Sequence, residues 1–124
     1  MRDSAYLGDL GGLAVYRRLI MPDLRGTGKS AIPADPGSYR CDRLVDDISA
    51  LQDRLGLDHV DLLGQSAGAN IAVQYALGHQ RRVDKLVLIT PGMRVVGLEP
   101  DSEMRRESHR QMRRRLRSRR RGSL

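Results

Sequence analysis

Aromatic side chains and cysteine are scarce in this chain of 124 residues, which has no phenylalanine, no tryptophan, four tyrosines and one cysteine. Because so few aromatic rings are available for burial, we expect a modest core built from Leu, Val, Ile and Ala. The lone Cys41 excludes an intramolecular disulfide and suits a reducing compartment. We interpret Cys41 as a half-buried residue near a helix start in preference to a reactive thiol.

Long apolar runs and a secretory leader are also missing. No stretch approaches the roughly 20 apolar residues that a membrane-spanning helix needs. An acidic residue, Asp3, stands among the first residues, where a signal peptide carries basic ones. The length allows one domain at most. We therefore expect a soluble, cytoplasmic protein without a membrane partner.

Acidic residues are nearly absent from the last twenty positions. Residues 105–124 contain ten Arg and one Glu, a net charge of +9, whereas residues 1–104 contain 12 basic and 14 acidic residues, a net charge of −2. The net charge of +7 for the whole chain is therefore a property of its C-terminal end. We predict a folded core over residues 1–100 and an Arg-rich tail, disordered or helical, over residues 101–124.

Apolar periodicity predicts that strands and helices alternate along the core. The clearest helix is predicted over 41–55, where apolar residues recur on one face and Gly56 follows as a C-cap. The other predicted elements are a weak helix within 5–17, strands at 18–22, 59–63 and 86–90, and a helix over 69–77. Unbroken apolar strands that alternate with helices indicate an α/β fold with a parallel sheet covered on both faces.

One stretch carries a chemical signature. Gly64, Ser66 and Gly68 form the pattern G-x-S-x-G between a predicted strand and a predicted helix. This pattern is typical of a nucleophile elbow, a sharp turn that lifts a serine hydroxyl above the end of the sheet. We expect that a side chain at either glycine would collide with backbone, and that the N–H of Ala67 would face an oxyanion. The alternative is a structural turn with an incidental serine.

A second glycine-rich stretch, residues 26–30, resembles a phosphate-binding loop only superficially. The P-loop pattern requires a glycine five residues before Gly28, where this chain has Asp23. It also requires a helix directly afterwards, which Pro33 and Pro36 prevent. Without that helix no N-terminal dipole is available to hold phosphates. We interpret the stretch as a turn after a strand and predict no nucleotide, cofactor or metal site.

Three segments together resemble the α/β-hydrolase superfamily. Residues 22–30 are similar to its D-x-R-G-x-G-x-S loop, and residues 63–70 and 85–92 follow in the family's order. The similarity is closest to the proline iminopeptidase-like and esterase-like branch and extends over about residues 3–100. It implies a partial α/β-hydrolase fold and hydrolysis of an ester or peptide/amide bond in a small substrate. Ser66 would be the nucleophile and Ala67 a backbone oxyanion donor.

The resemblance also implies a catalytic acid and a catalytic histidine for Ser66, which the sequence does not supply. The family places an acid and then a histidine after later strands, but His79 directly follows the predicted elbow helix. Asp101 and His109 lie in a polar stretch without a strand between them, so we interpret them as exposed tail residues. We interpret His59 as a strand-start residue. The H-G-G-P-G-type loop that would supply the second oxyanion donor is not found, so we expect a fragment with little or no activity.

The resemblance raises a difficulty for the predicted sheet as well. In the family, a further strand lies between those that match residues 18–22 and 59–63. The two predicted strands must therefore either pair directly or leave a gap. Three strands with open apolar edges would be marginally stable.

The Arg-rich end leaves three interpretations open: a solvated tail, an arm that binds nucleic acid through phosphate contacts, or a stretch translated out of frame. The abrupt change in charge where the resemblance fades favours the third. The second interpretation supplies the alternative function, that of a basic nucleic-acid-associated protein. A weaker idea is that the chain docks with a complementary piece that supplies the histidine.

Overall fold

The computed structural model describes residues 3–92 and the single residues Gly97, Arg106, Glu107 and Arg110. The chain divides into two compact units, Met1–Pro91 and Gly92–Leu124. In the second unit, Arg106, Glu107 and Arg110 are helical. Most of the predicted tail lies outside the described residues, so its boundary near residue 100 stays a prediction.

The first unit contains two α-helices, two β-strands and several short 3₁₀ turns. The regular elements are α1 (Cys41–Arg54), β1 (Val60–Gln65), α2 (Ala67–Gly78) and β2 (Val83–Ile89). The 3₁₀ turns are Ser4–Leu7, Leu13–Val15, Pro36–Tyr39 and Gln80–Arg82. These bounds confirm the α/β class and the predicted positions of both helices and of the last two strands, with ends that differ by at most three residues.

The strands β1 and β2 pair in parallel, from Val60 opposite Val83 to Gln65 opposite Ile89, with one irregularity after Val60. Parallel strands need a crossover connection, and α2 provides it. This helix packs against both strands and against α1. The carboxyl ends of β1 and β2 therefore meet at one edge of the sheet, and the turn into α2 begins at that edge.

The end of α1 follows the prediction for Gly56. This glycine has a φ of 64°, in the left-handed region. Its N–H donates to the carbonyl of Asp53 at 3.0 Å, and the N–H of Leu57 donates to the carbonyl of Gln52 at 3.1 Å. This pair of bonds is the Schellman motif, which satisfies the last carbonyls of a helix.

The core is small and centres on α2. Its buried apolar residues are Leu44, Ala69, Ile71, Ala72 and Tyr75. The expectation of a purely aliphatic core is wrong at one position, since Tyr75 is fully buried and is the largest described side chain to be so. Its hydroxyl donates to the Oε1 atom of Gln52, and the Nε2 atom of Gln52 donates to the carbonyls of Asp58 at 3.3 Å and Arg82 at 3.4 Å. The Tyr75 hydroxyl and the Gln52 amide can therefore be buried, because both are hydrogen-bonded.

The predicted strand at residues 18–22 is not formed, and the described part of the chain has a two-stranded sheet instead of three strands. A strand requires backbone hydrogen bonds to a neighbouring strand, and neither described strand pairs with these residues. Ile20 and Met21 remain 39% and 37% exposed. The unbroken apolar run was therefore insufficient to produce a strand.

The weak helix predicted within 5–17 is also wrong. Two separate 3₁₀ turns occur there, Ser4–Leu7 and Leu13–Val15. Between them Gly8, Gly11 and Gly12 adopt positive φ angles, as does Leu10 at 55°. Left-handed residues interrupt the i to i+4 hydrogen bonding of an α-helix, so the helical spacing of the apolar residues does not produce an α-helix over this stretch.

Candidate active site

Ser66 lies in the turn between the last residue of β1 and the first residue of α2, as the strand–turn–helix pattern predicts. Its backbone has φ 52° and ψ −116°, a conformation that side-chain-bearing residues rarely adopt. Such a residue costs about 1–3 kcal/mol and persists only where its surroundings enforce it. Here the Ser66 N–H donates to the carbonyl of Ile89 at 2.9 Å, and the Ser66 carbonyl accepts from the N–H of Ala69 at 3.0 Å. The hydroxyl-bearing residue itself is exposed.

The two glycines of the motif have different roles. A Cβ added at Gly64 would lie 2.5 Å from the carbonyl oxygen of Gly68 and 2.7 Å from the Cα of Ala69. The close approach of β1 to α2 therefore requires glycine at position 64. A Cβ at Gly68 would meet no atom within 4 Å, so the expectation of a collision there is wrong. Gly68 occupies the first turn of α2, where the neighbouring backbone leaves open space.

Ala67 is the first residue of α2. The first N–H groups of a helix have no acceptor within that helix, and the helix dipole adds partial positive charge at the same end. Negative charge that develops beside Ser66 would therefore be stabilised from this side. The assignment of Ala67 as an oxyanion donor stays a prediction.

The described histidines lie far from Ser66. His79 caps the other end of α2, where its ring stacks on Tyr75 with centroids 4.4 Å apart. The helix between His79 and Ser66 has 12 residues and is about 18 Å long. His59 precedes β1 and pairs with Asp84 at 3.4 Å, at the opposite end of the strand from Ser66. Neither ring can accept the Ser66 proton in this arrangement. Asp101 and His109 lie outside the described residues.

The loop that follows residues 18–22 is organised around a carboxylate. The Oδ1 atom of Asp23 accepts hydrogen bonds from the N–H and the hydroxyl of Ser4, both at 2.8 Å, and its Oδ2 atom accepts from the N–H of Lys29 at 3.1 Å. These bonds, first that from the Ser4 N–H, hold the pKa of Asp23 below its usual range. A Cβ at Gly28 would lie 2.0 Å from Oδ2. The glycine-rich turn thus wraps a carboxylate, which would repel a phosphate.

Sequence reasoning identified Arg25 as part of the family pattern but missed its partner. Its guanidinium donates to both carboxylate oxygens of Asp47 on α1, at 2.6 and 2.5 Å, and to the carbonyl of Ser38 at 3.1 Å. The hydrogen bonds to Asp47 raise the pKa of Arg25 further. The only available signal was a run of acidic residues on the polar face of α1, which does not specify a partner 22 positions away.

Sequence reasoning also missed a contact beside the serine. The hydroxyl of Tyr6 donates to the Oε1 atom of Gln65 at 2.9 Å across 59 residues. Gln65 directly precedes Ser66, so this bond brings the N-terminal 3₁₀ turn to the edge of the sheet where Ser66 lies. No pattern in the sequence pairs these two residues.

Cys41 has the properties expected of a packed residue. It is half-buried, and burial raises the pKa of its thiol. A raised pKa reduces the fraction of thiolate, the reactive form.

Two open clefts lie along α1 and the loop before it, one next to Arg40 and the other next to Ile48, and neither is lined by Ser66.

Comparison with known proteins identifies the family. The profile of the alpha/beta hydrolase fold family matches residues 12–121. The 2-hydroxymuconate semialdehyde hydrolase of Pseudomonas sp. strain CF600 is 41% identical over 105 residues, which cover 76% of this chain and 37% of that protein. The proline iminopeptidase of Heyndrickxia coagulans is 35% identical over 82 residues, covering 66% of this chain and 28% of that protein.

A solved structure gives the same result. The meta-cleavage product hydrolase of Pseudomonas fluorescens IP01 superimposes with a TM-score of 0.65 at 26% identity, covering 83% of this chain and 44% of that one. The chain therefore belongs to the α/β-hydrolase fold family. It spans about a third of the length of the curated relatives that it matches.

The family match changes the interpretation of the Arg-rich end. It continues to residue 121, well beyond the residue 100 at which the sequence resemblance was expected to fade. This extent weighs against the hypothesis that the basic stretch is translated out of frame. Among the described residues, no helix is both long and apolar enough to cross a membrane. The cytoplasmic location stays a prediction.

Proposed function

We propose that Ser66 is the nucleophile of a serine hydrolase that cleaves an ester or a peptide/amide bond. The observation that carries the proposal is the turn itself: an exposed serine at φ 52°, between a parallel strand and the helix that starts at Ala67. In the reaction, the Ser66 oxygen attacks the acyl carbon and its proton passes to a base. The carbonyl oxygen becomes an oxyanion, which the N–H of Ala67 stabilises. Departure of the alcohol or amine leaves an acyl-enzyme, which water then hydrolyses.

The base and the acid are the missing parts of this mechanism. No described histidine reaches Ser66, because His59 and His79 are held at the opposite ends of β1 and α2. We therefore expect this chain to act as a fragment with little or no turnover by itself. A complementary piece that brings a histidine to the carboxyl edge of the sheet would complete the site.

The test measures hydrolysis of p-nitrophenyl acetate and of a proline arylamide. The chain alone should show no turnover that Ser66→Ala removes, and Ser66-dependent turnover would refute the fragment interpretation. Co-expression with the downstream reading frame of the same DNA should restore turnover, and Ser66→Ala should abolish it. The matched control is Ser49→Ala, since Ser49 lies on α1 and contacts Arg82. Restored turnover that survives Ser66→Ala would overturn the nucleophile assignment.

A second candidate function is binding of nucleic acid through the basic end. Residues 105–121 contain ten arginines and one glutamate, which is a charge density suited to phosphate contacts. Binding of a DNA duplex, followed by fluorescence anisotropy, should weaken steeply with added salt and vanish when residues 105–121 are deleted. Substitution of three central arginines (113–115) by lysine should retain binding, and substitution by glutamine should weaken it. Binding that survives the deletion would contradict this assignment.

A further inference from the structure

The N-terminal 3₁₀ turn is held at two points, one of which is the residue that precedes the candidate nucleophile. At its first residue, Ser4 donates twice to Asp23; two residues later, the Tyr6 hydroxyl donates to Gln65. Both anchors lie far along the chain from the turn, 19 and 59 positions respectively. Two long-range anchors define both the position and the rotation of a short segment. The turn is therefore fastened in place where the chain passes the edge of the sheet.

The anchors differ in strength in a way that assigns them different roles. Asp23 also accepts from Lys29, so its carboxylate has three donors. Hydrogen bonds to an ionised acceptor are stronger than neutral ones, and this carboxylate holds the start of the turn. The bond between Tyr6 and Gln65 is a single neutral bond, and it sets where the ring lies.

The position of the ring has a consequence for access to Ser66. Tyr6 is 51% exposed, so about half of its surface faces solvent while its hydroxyl is held by Gln65. Its hydroxyl is bonded to the residue that directly precedes Ser66. A ring held at this point narrows the approach to Ser66 from the side of the N-terminal turn. A bulky group should therefore meet the ring where a methyl-sized group passes.

We propose that Tyr6 is a specificity-determining residue that forms one wall of the approach to Ser66, and that Asp23 is the positioning residue that holds it there through Ser4. The inference rests on the proposed role of Ser66 and extends it to the size of the acyl group that is accepted. Small acyl groups are favoured, and branched or aromatic ones are disfavoured until the Tyr6 ring moves.

The experiment replaces hydrolysis by thiol chemistry, so it requires no base or acid. In the full chain with Cys41→Ser and Ser66→Cys, the introduced thiolate attacks the sulfenyl sulfur of a methanethiosulfonate, and methanesulfinate leaves. Methyl and benzyl methanethiosulfonate share this chemistry and differ only in size. The ratio of their two rate constants reports the width of the approach and is unaffected by the failure of the chain to hydrolyse an ester.

Tyr6→Ala should raise the benzyl rate relative to the methyl rate by more than the roughly fivefold that one net hydrogen bond is worth, because the ring itself is removed. Tyr6→Phe and Asp23→Asn should raise the same ratio by smaller factors, since the ring remains but is released. Tyr16→Ala is the matched control, because Tyr16 is 84% exposed in the neighbouring segment. It should leave the ratio unchanged.

Three results would overturn the inference: an unchanged ratio in Tyr6→Ala, an equal acceleration of both reagents, or the same change in Tyr16→Ala. An equal acceleration would show that Tyr6 merely stabilises the segment. If Tyr6→Ala loses its helical circular dichroism, the ratio in Tyr6→Phe decides, because that variant removes a single hydroxyl. Restored turnover that survives Ser66→Ala, together with an altered ratio, would refute the nucleophile assignment and leave the position of Tyr6 beside residue 66 established.

Discussion

The turn at Ser66 and the loop at Asp23 are both bonded to the 3₁₀ turn Ser4–Leu7, and they are held by different forces. Backbone bonds fasten Ser66 to Ile89 and Ala69, and close backbone packing at Gly64 leaves no room for adjustment. Carboxylates organise the loop, through Asp23 and through the pair of Arg25 with Asp47. A turn held by backbone contacts should tolerate acid and salt but no added atom at position 64, whereas a loop held by charges should be weakened by acid and by salt.

The largest expected effect is that of Gly64→Ala. The added Cβ would lie 2.5 Å from the carbonyl oxygen of Gly68 and 2.7 Å from the Cα of Ala69. Because these obstacles are backbone atoms, β1 and α2 must move apart, at a cost of about 3 kcal/mol in the free energy of unfolding. Urea denaturation followed by circular dichroism measures this cost.

The matched control for that prediction is Gly68→Ala, which meets no atom within 4 Å. Since alanine is the better helix former, this variant should be unchanged or more stable by up to about 1 kcal/mol. Similar losses in the two variants would show that the turn is not held by close packing at position 64.

The second-largest effect is expected for Tyr75→Phe, which removes the buried hydrogen bond between α2 and Gln52 on α1. The variant leaves the Oε1 atom of Gln52 without its donor, and Gln52 is only 4% exposed. An unpaired buried acceptor costs about 1–3 kcal/mol in unfolding free energy. Tyr39→Phe is the control, because its hydroxyl donates to the carbonyl of Pro33 at the surface. Equal losses in the two variants would contradict the role assigned to burial.

Arg25→Lys should have an intermediate effect. A lysine cannot reproduce the two parallel bonds to Asp47 or the third bond to Ser38. Since the Arg25 and Asp47 side chains are 26% and 39% exposed, solvent screening should keep the loss of unfolding free energy below that of Tyr75→Phe. Arg43→Lys, in a pair 60% and 68% exposed, should change the urea midpoint much less. An equally small change for Arg25→Lys would show that the loop is not held by this pair.

The smallest effect is a dependence on pH confined to the loop. Hydrogen bonds lower the pKa of Asp23 from the ordinary value of 3.8, so the folded state favours the carboxylate. The resulting stability is present above pH 3.8 and is lost as the pH falls through the lowered pKa. The stability difference between the wild-type chain and Asp23→Asn should therefore narrow from pH 7 to acid, whereas that of Gly64→Ala should not. A constant difference for Asp23→Asn would contradict the charge-held loop.

Prediction from the sequence succeeded where a pattern and its structural cause lie within one stretch. The end of α1 at Gly56 and the turn around Ser66 depend on residues a few positions apart. It failed where a distant neighbour decides the outcome. Residues 18–22 form no strand because no described strand pairs with them, and Gly68 is uncrowded although it belongs to the motif.

Taken alone, the sequence determined the α/β class, the family and the serine in its turn, because local spacing and glycine placement encode them. Only the tertiary structure decided which groups meet: Tyr75 with Gln52, Asp23 with Ser4, and Tyr6 with Gln65. It also separated His79 from Ser66 by the length of α2. Such contacts depend on how the helices and strands pack, and residues brought together across 19 to 59 positions leave no periodic trace in the chain.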